Sequence, residues 1–328
     1  MKILVTGGTG FVGTHVVNAL LRRGHAIAVL ARNPASTRNR YNRPVEAVPG
    51  DVLDPASLER AAAGREAVVH LVGIIAEKGP QTFDRMHREA VENVVAAARS
   101  TGARRLLHMS AMGAAEDSPS AYGRSKAAGE KTVRESPLDW TIFRPSVIFG
   151  PGDGFFSLLA GLIRANPLFI PVIGPGTTRF QPVSVYDVAR VFADALQKPE
   201  TVRKTFELGG PQTYTLDEIY REIAFAVGKR RKPLVHFPLW WGRLLAGRFE
   251  WMARRGWISD PPLTRDQLRS LGRDNTADVS ETVAVFGGEW RGLRAGLLEY
   301  LHGAMAHDPR AGIGEEAQLE PVRVVRIQ

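Results

Sequence analysis

A glycine-rich turn, Thr6-Gly7-Gly8-Thr9-Gly10-Phe11-Val12-Gly13, separates an apolar run at residues 2–6 from an amphipathic run at residues 12–23. The first run predicts a buried strand and the second predicts a helix. A glycine turn at such a junction lets the backbone approach a pyrophosphate, and the helix N-terminus supplies N–H donors and a positive dipole. This context favours a dinucleotide site over a purely structural glycine turn.

The rest of the first half alternates short apolar runs with amphipathic segments, which is typical of parallel sheets covered by helices. The predicted strands after the first are residues 26–30, 67–72, 105–109 and 140–143, with a further strand just before Gly50, and the predicted helices are residues 55–63, 82–100 and 121–134. We therefore expect an α/β fold, a doubly wound parallel sheet of the Rossmann type.

The second half predicts a smaller, mostly C-terminal α/β region for substrate or docking. We expect a dinucleotide-binding domain at residues 1–150, to which residues 180–200 return, a smaller region at 151–305, and a mobile tail at 306–328. The predicted helices there are residues 155–165, 188–197, 216–227 (opened by a capping box at Thr215), 238–255 and 289–302, with a loop at 167–182.

Composition excludes several classes of protein. The chain has no cysteine, so disulfides, thiol catalysis and cysteine-based zinc or iron–sulfur sites are excluded. The histidines show no metal-ligand spacing, and we expect no metal. No apolar run approaches the roughly 20 residues of a membrane span, and the first strand starts at Lys2, which leaves no room for a signal peptide. These features predict a cytoplasmic protein, with a peripheral place at the inner face of the membrane as an alternative.

The end of the second strand indicates which dinucleotide is preferred. An acid there would bind the ribose 2′-hydroxyl of NAD, whereas an arginine would accept the 2′-phosphate of NADP. This strand ends at Ala31-Arg32, and the next acid is Glu46. Arg32 therefore favours NADP(H) over NAD(H), with Arg38 or Arg40 as helpers, and a solvated surface arginine is the alternative. Asp51, after the third strand, is placed to reach the adenine or to close a turn.

A candidate catalytic group follows the strand at residues 105–109. Ser110 ends that strand at the carboxyl edge of the sheet, where open α/β sheets bind ligands. Tyr122 and Lys126 are four residues apart and share one helix face. An ammonium near a phenol lowers the pKa of the phenol, which makes tyrosine a usable acid or base near neutral pH. The alternative is an ordinary surface pair on a helix.

Taken together, these motifs resemble the short-chain dehydrogenase/reductase superfamily in its extended and atypical, epimerase/dehydratase-like branches. The resemblance covers about the first 190 residues. The matching pieces are residues 6–13, Gly50-Asp51-Val52, His70-Leu71-Val72-Gly73, Ser110, Tyr122 with Lys126, and residues 144–153, which read RPSVIFGPGD. One departure is visible, since His87 stands where many members carry an asparagine of the proton relay.

The resemblance implies hydride transfer at the nicotinamide, with Tyr122 as the acid/base, Lys126 on the nicotinamide ribose and Ser110 orienting the reacting carbonyl. The loop Gly150-Pro151-Gly152-Asp153 would border the substrate. The residues that the motifs and the resemblance assign to the dinucleotide are Thr6, Gly7, Thr9, Gly10, Phe11, Val12, Gly13, Arg32, Asp51, Val52, Leu71, Val72, Gly73, Tyr122, Lys126, Pro145, Val147 and Ile148.

More narrowly, three stretches resemble the branch that contains the nucleotide-binding accessory subunit of respiratory complex I and its bacterial relatives. They are residues 118–126, 179–183 and 262–268. In that subunit the bound NADPH is structural, so this resemblance implies the cofactor more strongly than it implies turnover.

A basic, tryptophan-rich segment covers residues 229–273, with eleven Lys/Arg against three acids and a net charge of +8. Four of the six tryptophans of the chain lie between residues 240 and 257. In the predicted helix, one face holds Trp241, Leu244, Leu245, Phe249 and Met252. We expect this face either to pack in the core and close a pocket, or to meet an anionic membrane or a membrane complex. Nucleic acid is disfavoured because no recognition motif accompanies the charge.

The sequence supports three functions, in this order: an NADP(H)-dependent oxidoreductase or epimerase acting on a small-molecule substrate through Ser110, Tyr122 and Lys126; a non-catalytic NADPH-binding subunit or assembly factor of a membrane respiratory complex; and a redox-sensing regulator. No residue identifies the substrate. An isoprenoid or quinone-related carbonyl and a nucleotide-sugar both remain open.

Overall fold

The computed structural model describes residues 1–258 and 261–302, and the predicted tail at 306–328 lies outside these described residues. The chain forms two compact units. Unit 1 contains Met1–Pro145, Val185–Leu208 and Asp278–Gly287. Unit 2 contains Ser146–Ser184, Gly209–Ala277 and the described residues from Gly288 onward.

The described chain contains strands in both units. In chain order they are β1 Lys2–Thr6, β2 Ala26–Ala31, β3 Glu46–Pro49, β4 Ala67–His70, β5 Arg105–Met109, β6 Asp139–Pro145, β7 Ile148–Phe149, β8 Ile170–Ile173, β9 Arg179–Phe180, β10 Val183–Ser184, β11 Lys204–Leu208, β12 Tyr214–Thr215 and β13 Leu234–Phe237.

The helices alternate with these strands. They are α1 Phe11–Arg22, α2 Pro55–Ala62, α3 Ala90–Thr101, α4 Ala121–Glu135, α5 Phe155–Ala165, α6 Val185–Ala195, α7 Leu216–Ala226, α8 Leu239–Arg254, α9 Arg265–Ser270, α10 Ser280–Phe286 and α11 Leu293–Leu297. A π-helical turn, Arg85–Glu89, leads into α3, and a second one, Leu298–His302, follows α11.

Unit 1 is built on a seven-stranded sheet in the order β11-β6-β5-β4-β1-β2-β3, in which every pairing is parallel. The predicted doubly wound parallel sheet is therefore confirmed. The chain runs outward from β1 to β3 and then returns to place β4 on the other side of β1. The strand order thus reverses between β1 and β4, and a crevice forms at the carboxyl ends of strands where such a reversal occurs.

Helices cover both faces of this sheet because successive strand residues point to opposite sides. α2, α3 and α4 pack beside one another over a core that includes Leu4, Val68 and Leu106, whereas α1 packs against α6. The strands read as continuous apolar runs since both faces are buried; β4, for example, is buried over its whole length.

The π-helical turn before α3 approaches α4 closely. A Cβ on Gly129 of α4 would overlap the backbone carbonyl oxygen of His87, so only glycine allows this approach. Ser120 caps the start of α4, and its Oγ accepts the N–H of Gly123 at 3.0 Å. These two contacts set the position of the helix that carries Tyr122 and Lys126.

Unit 2 consists of two-stranded pairings and short helices around an apolar core. β7 pairs with β10 and β8 with β13 in parallel, and β9 pairs with β12 in antiparallel fashion. α5, α7 and α11 enclose a cluster that includes Phe156, Ile219 and Leu297. The predicted capping box opens α7, because the Thr215 hydroxyl accepts from the Glu218 N–H while the Glu218 carboxylate accepts from the Thr215 N–H.

Two expectations for the second half were wrong in part. The predicted loop at residues 167–182 contains β8 and β9, because Ile170 and Val172 alternate into the core and their strand pairs with β13. The helix predicted at 289–302 starts only at Leu293, since Gly287 and Gly288 adopt positive φ and precede a non-helical stretch. Within the described part of the chain, no helix has both the length and the apolar character needed to cross a bilayer.

We predict that Gly129→Ala destabilises unit 1 by about 2 kcal/mol, because the added methyl group meets backbone that must shift. A matched control is Gly161→Ala on α5, where a Cβ would meet nothing within 4 Å. That change should add about 0.5–1 kcal/mol through helix propensity. Urea unfolding followed by circular dichroism measures both, and equal stability of the two variants would contradict the packing argument.

Candidate functional site

The glycine turn after β1 forms a tight backbone cradle at the strand reversal. Gly7 has φ +74°, and a Cβ there would lie 2.9 Å from the Leu71 carbonyl carbon and the Val72 nitrogen. A Cβ on Gly13 would overlap the Gly7 carbonyl oxygen. The structure therefore brings the predicted residues after β1 against the predicted residues after β4, with glycine required at both contacts.

α1 begins at this cradle, and its first backbone N–H groups point away from the helix as hydrogen-bond donors. Gly10 is the N-cap, no side chain caps the helix, and its first turn contains no acidic residue. The first N–H groups of a helix have no partner within it, and they carry its positive dipole end. Residues of this kind fit the pyrophosphate of a dinucleotide.

Arg32 follows β2 directly and is exposed. Glu46, the next acid in the chain, is engaged elsewhere, since its carboxylate lies 2.6 Å from the Arg65 guanidinium. Of the suggested helpers, Arg38 is exposed, whereas the Arg40 Nε donates to the Ser36 carbonyl at 2.9 Å. The edge after β2 therefore presents cationic rather than acidic side chains.

Asp51 closes a turn after β3. Its Oδ1 accepts the Leu53 N–H at 3.0 Å, and its own N–H donates to the Ser57 hydroxyl at 3.1 Å. Val52 is buried, and its carbonyl accepts from the Asn93 side chain at 3.1 Å. Asp51 is thus a turn residue, and its contact with the adenine stays a prediction.

Ser110 lies directly after β5, and its N–H donates to the Phe143 carbonyl at 2.8 Å. Its side chain is buried, and its Oγ has no hydrogen-bond partner among the described residues. A buried hydroxyl without a partner costs free energy, and such groups concentrate where a ligand supplies the missing bond.

Lys126 is buried on α4, and its ammonium donates to the Met109 carbonyl at 3.1 Å, one residue before Ser110. It also approaches the β4 loop, because a Cβ on Gly73 would lie 3.1 Å from its Nζ. Burial lowers the pKa of Lys126 to about 8. The structure thus brings Lys126, Gly73 and the end of β5 together.

Tyr122 does not show the expected change in pKa. Burial raises the pKa of its phenol to about 12, whereas the helical spacing predicted that Lys126 would lower it. The desolvation of the phenolate outweighs any attraction from the lysine. The expected direction was therefore wrong, and the neutral phenol is the stable form at physiological pH.

His87 connects three elements of the site. Its Nε2 accepts the Ile74 N–H at 3.1 Å, so the neutral ring carries its proton on Nδ1 and donates it to the Ser125 hydroxyl at 2.8 Å. Ser125 in turn donates to the Tyr122 carbonyl at 2.7 Å. Burial lowers the pKa of His87 to about 2. His87 therefore acts as a neutral bridge between the β4 loop and α4.

Aromatic packing surrounds the Tyr122 ring. It meets the rings of Phe83 and His87 edge-on, with centroids 5.8 and 5.4 Å away. These contacts restrict the ring to one orientation.

A buried histidine pair was missed by the sequence analysis. His70 and His108 are partners in the β4–β5 register, and their rings stack at 5.4 Å. The His70 Nδ1 lies 2.7 Å from the Thr6 hydroxyl. Burial lowers the pKa of His70 to about 3 and that of His108 well below its usual value. The available signal in the sequence was a histidine at the end of β4 and another next to the end of β5, each following apolar residues.

The remaining predicted residues fall on both units. Pro145 ends β6 in unit 1, whereas Val147 and Ile148 belong to unit 2. Asp153 caps α5, because its Oδ1 accepts the Phe156 and Ser157 N–H groups at 2.7 and 3.1 Å. In the described part of the chain, no three His, Asp or Glu side chains cluster as metal ligands would.

Comparison with known proteins identifies relatives of this chain. Residues 7–199 match a family model described as NAD(P)H-binding. The chain is 34% identical over 238 residues to a ceramide reductase of Caulobacter vibrioides, covering 72% of this chain and 73% of that protein. It is 30% identical over 286 residues to a mitochondrial NADH dehydrogenase [ubiquinone] 1 alpha subcomplex subunit 9 of Rattus norvegicus, covering 85% of this chain and 72% of the relative.

Among solved structures, a UDP-glucose 4-epimerase of Thermotoga maritima has the same fold. It superposes with a TM-score of 0.71 over 93% of this chain and 100% of its own, at 20% identity. At this identity the likeness concerns the fold alone.

We predict that Lys126→Met stabilises the protein at pH 7 by about 2 kcal/mol. The pKa of Lys126 falls from 10.5 to about 8 on folding. Below pH 8 the folded state therefore bears the full cost of the buried charge, about 3 kcal/mol, from which about 1 kcal/mol is subtracted for the lost bond to Met109.

Between pH 8 and 10.5 the folded lysine loses its proton first, so wild-type stability rises and the advantage of the variant shrinks. Urea unfolding at pH 7 and pH 9.5 measures this change. Lys131→Met, at an exposed position of the same helix, is the control and should show no such trend. A pH-independent difference for Lys126→Met would refute the argument.

Proposed function

We propose that this member of the NAD(P)H-binding short-chain dehydrogenases/reductases is an NADP(H)-dependent oxidoreductase. It would reduce a carbonyl through Ser110, Tyr122 and Lys126. The chain belongs to the extended, epimerase/dehydratase-like part of the family and to the branch of the complex I accessory subunit. The observation that carries the proposal is the unpartnered, buried hydroxyl of Ser110, whose strand end also receives the Lys126 ammonium.

The protonation of Tyr122 and Lys126 is compatible with carbonyl reduction. A bound nicotinamide would supply the hydride to the carbonyl carbon. The Tyr122 phenol, whose pKa of about 12 keeps it protonated, gives its proton to the carbonyl oxygen, which becomes the product hydroxyl. Ser110 donates a hydrogen bond to that oxygen, and the Lys126 ammonium stabilises the phenolate that remains. His87 holds the helix that presents Tyr122.

The substrate class is proposed from the name of a relative, with which an apolar cavity in unit 2 is compatible. A cavity of about 220 Å³ there is lined mainly by apolar groups, including Ile173, Leu216, Leu239 and Leu271, and its lining contains no charged side chain. A lining of this kind suits an apolar group and supplies no charged side chain to a diphosphate. The Caulobacter relative is named as a reductase of a ceramide, which is an amphiphilic lipid. We propose a carbonyl substrate with an apolar tail.

A second candidate function is a non-catalytic subunit whose NADPH stabilises the fold. The resemblance to the NADH dehydrogenase subunit of Rattus norvegicus favours it. The two functions differ in how fast the nucleotide leaves. Release within seconds on dilution fits an enzyme, whereas nucleotide that stays until the chain unfolds fits a structural cofactor.

We predict that Tyr122→Phe lowers NADPH-dependent reduction of medium-chain 2-ketones by about 100-fold to 10,000-fold, because the general acid is lost. NADPH affinity should change by no more than about twofold. Absorbance at 340 nm follows turnover, and isothermal titration measures binding. Tyr220→Phe removes a phenol hydroxyl in unit 2 and serves as the matched control. Undiminished turnover by Tyr122→Phe would refute the enzyme proposal. Absence of any turnover by the wild-type protein, together with tightly held nucleotide, would favour the non-catalytic subunit.

Arg32 is proposed to bind the 2′-phosphate of NADP(H). We predict that Arg32→Ser weakens NADPH binding by about 10-fold to 100-fold and leaves NADH binding unchanged, since a charge-assisted hydrogen bond is lost. Arg38→Ser, at an exposed position in the same loop, tests whether general positive charge is sufficient. Equal loss of NADPH and NADH affinity in Arg32→Ser would remove the assignment.

A further inference from the structure

α8 presents its large apolar side chains to solvent. Trp240 is 61% exposed, Leu244 64% and Trp251 43%. At 100° per residue these three lie within about 40° of one another on the helix surface. The face for which the sequence left core packing and membrane contact open is thus in part exposed, because it includes Leu244 and Trp241, and Trp241 is 38% exposed.

The side of α8 that packs inward consists of small residues. Gly242 and Ala246 are the buried residues of this helix. A Cβ on Gly242 would overlap the Ile173 side chain of β8, so the helix backbone rests directly on that side chain. A rotation that buried the tryptophans would turn larger side chains toward Ile173 and would have to move α8 away from it. The outward position of Trp240, Leu244 and Trp251, which are called the aromatic stripe below, therefore follows from close packing.

Arginines border the aromatic stripe on both sides. Arg243 and Arg254 lie on one flank, and Arg248 and Arg255 on the other. All four are exposed, and none has a carboxylate within 4 Å among the described residues. Glu250, the acid of this helix, accepts the Arg265 N–H at 2.8 Å. Among the described residues, the surface therefore combines apolar area with positive charge that no carboxylate pairs.

At the C-terminal end of α8, an arginine and a second tryptophan pack against the Trp251 ring. The Arg255 guanidinium lies over the Trp251 ring at 5.3 Å, and the Trp257 ring meets Trp251 edge-on at 5.1 Å. Tryptophan with flanking arginine suits a headgroup layer, because the indole is amphipathic and the guanidinium meets phosphate.

We propose that α8 lies on an anionic phospholipid surface, with Trp240, Leu244 and Trp251 inserted at the headgroup–acyl boundary and the four arginines on lipid phosphates. Charge complementarity favours a lipid surface. An anionic bilayer presents phosphates to the arginines and acyl chains below them to the apolar side chains, along the whole length of the helix. The proposal goes beyond the proposed function, since it holds whether or not the nucleotide is turned over.

Flotation of the full-length protein with vesicles tests this surface. We expect binding to vesicles of equal parts phosphatidylglycerol and phosphatidylcholine, weak binding to phosphatidylcholine alone, and loss of binding as salt is raised. Arg243→Ser/Arg254→Ser should lower the partition coefficient about 25-fold, at about fivefold per arginine. Trp240→Ser/Trp251→Ser should lower it about tenfold or more.

Two control variants match these changes elsewhere on the surface. Arg60→Ser/Arg99→Ser removes two exposed arginines of unit 1, and Leu168→Ser removes an apolar side chain of unit 2 that is 74% exposed. Both should bind vesicles like the wild-type chain. Brominated acyl chains should also quench tryptophan fluorescence, and Trp240→Phe/Trp251→Phe should reduce this quenching.

The proposal is overturned by failure to bind anionic vesicles, or by a loss of binding in the control variants as large as in the α8 variants. Co-purification with a membrane protein complex without any vesicle binding would assign the surface to a protein partner instead. Because flotation needs neither nucleotide nor substrate, its outcome is separate from the outcome of the turnover experiment.

Discussion

The close approach of Gly7 to the Leu71–Val72 peptide, and of Gly13 to Gly7, is the constraint on which the rest of unit 1 depends. It lies where the strand order reverses between β1 and β4. The same turn therefore packs against the segment after β4 and leads into the N-terminus of α1. Side chains cannot enter these contacts, and the site is consequently built from backbone donors. The side chains at this edge are those that follow β2, β4 and β5.

The second organising feature is the buried ammonium of Lys126. It lies among His70, His87 and His108, whose pKa values are all lowered by burial. Burial also lowers the pKa of Lys126, and the Glu130 carboxylate acts in the opposite direction. Three additional charges there would repel the lysine, so the neutrality of the histidines helps this cation to remain in the interior. The cost of that cation is a stability penalty at neutral pH, which is typical of residues retained for function rather than for folding.

The two units differ in what they bury and what they expose. Unit 1 buries both faces of a sheet and places polar groups at its carboxyl edge. Unit 2 seats α8 on β8 through glycine and alanine, which leaves tryptophan and arginine outside. The same unit contains an apolar cavity whose lining includes Leu239 at the start of this helix. The cavity and the exposed face of α8 therefore belong to the same unit.

The sequence by itself determined the sheet, the glycine cradle and the residues at the carboxyl edge, because strand alternation, helix capping and glycine requirements are local. It also placed Arg32 after β2 and Tyr122 and Lys126 on one helix. Only the tertiary structure decided the direction of the pKa change of Tyr122, the meeting of His87 with Ile74 and Ser125, and the outward face of α8. Desolvation and contacts between distant residues depend on what packs against a side chain, and a periodic pattern defines the faces of a helix without stating which face is buried.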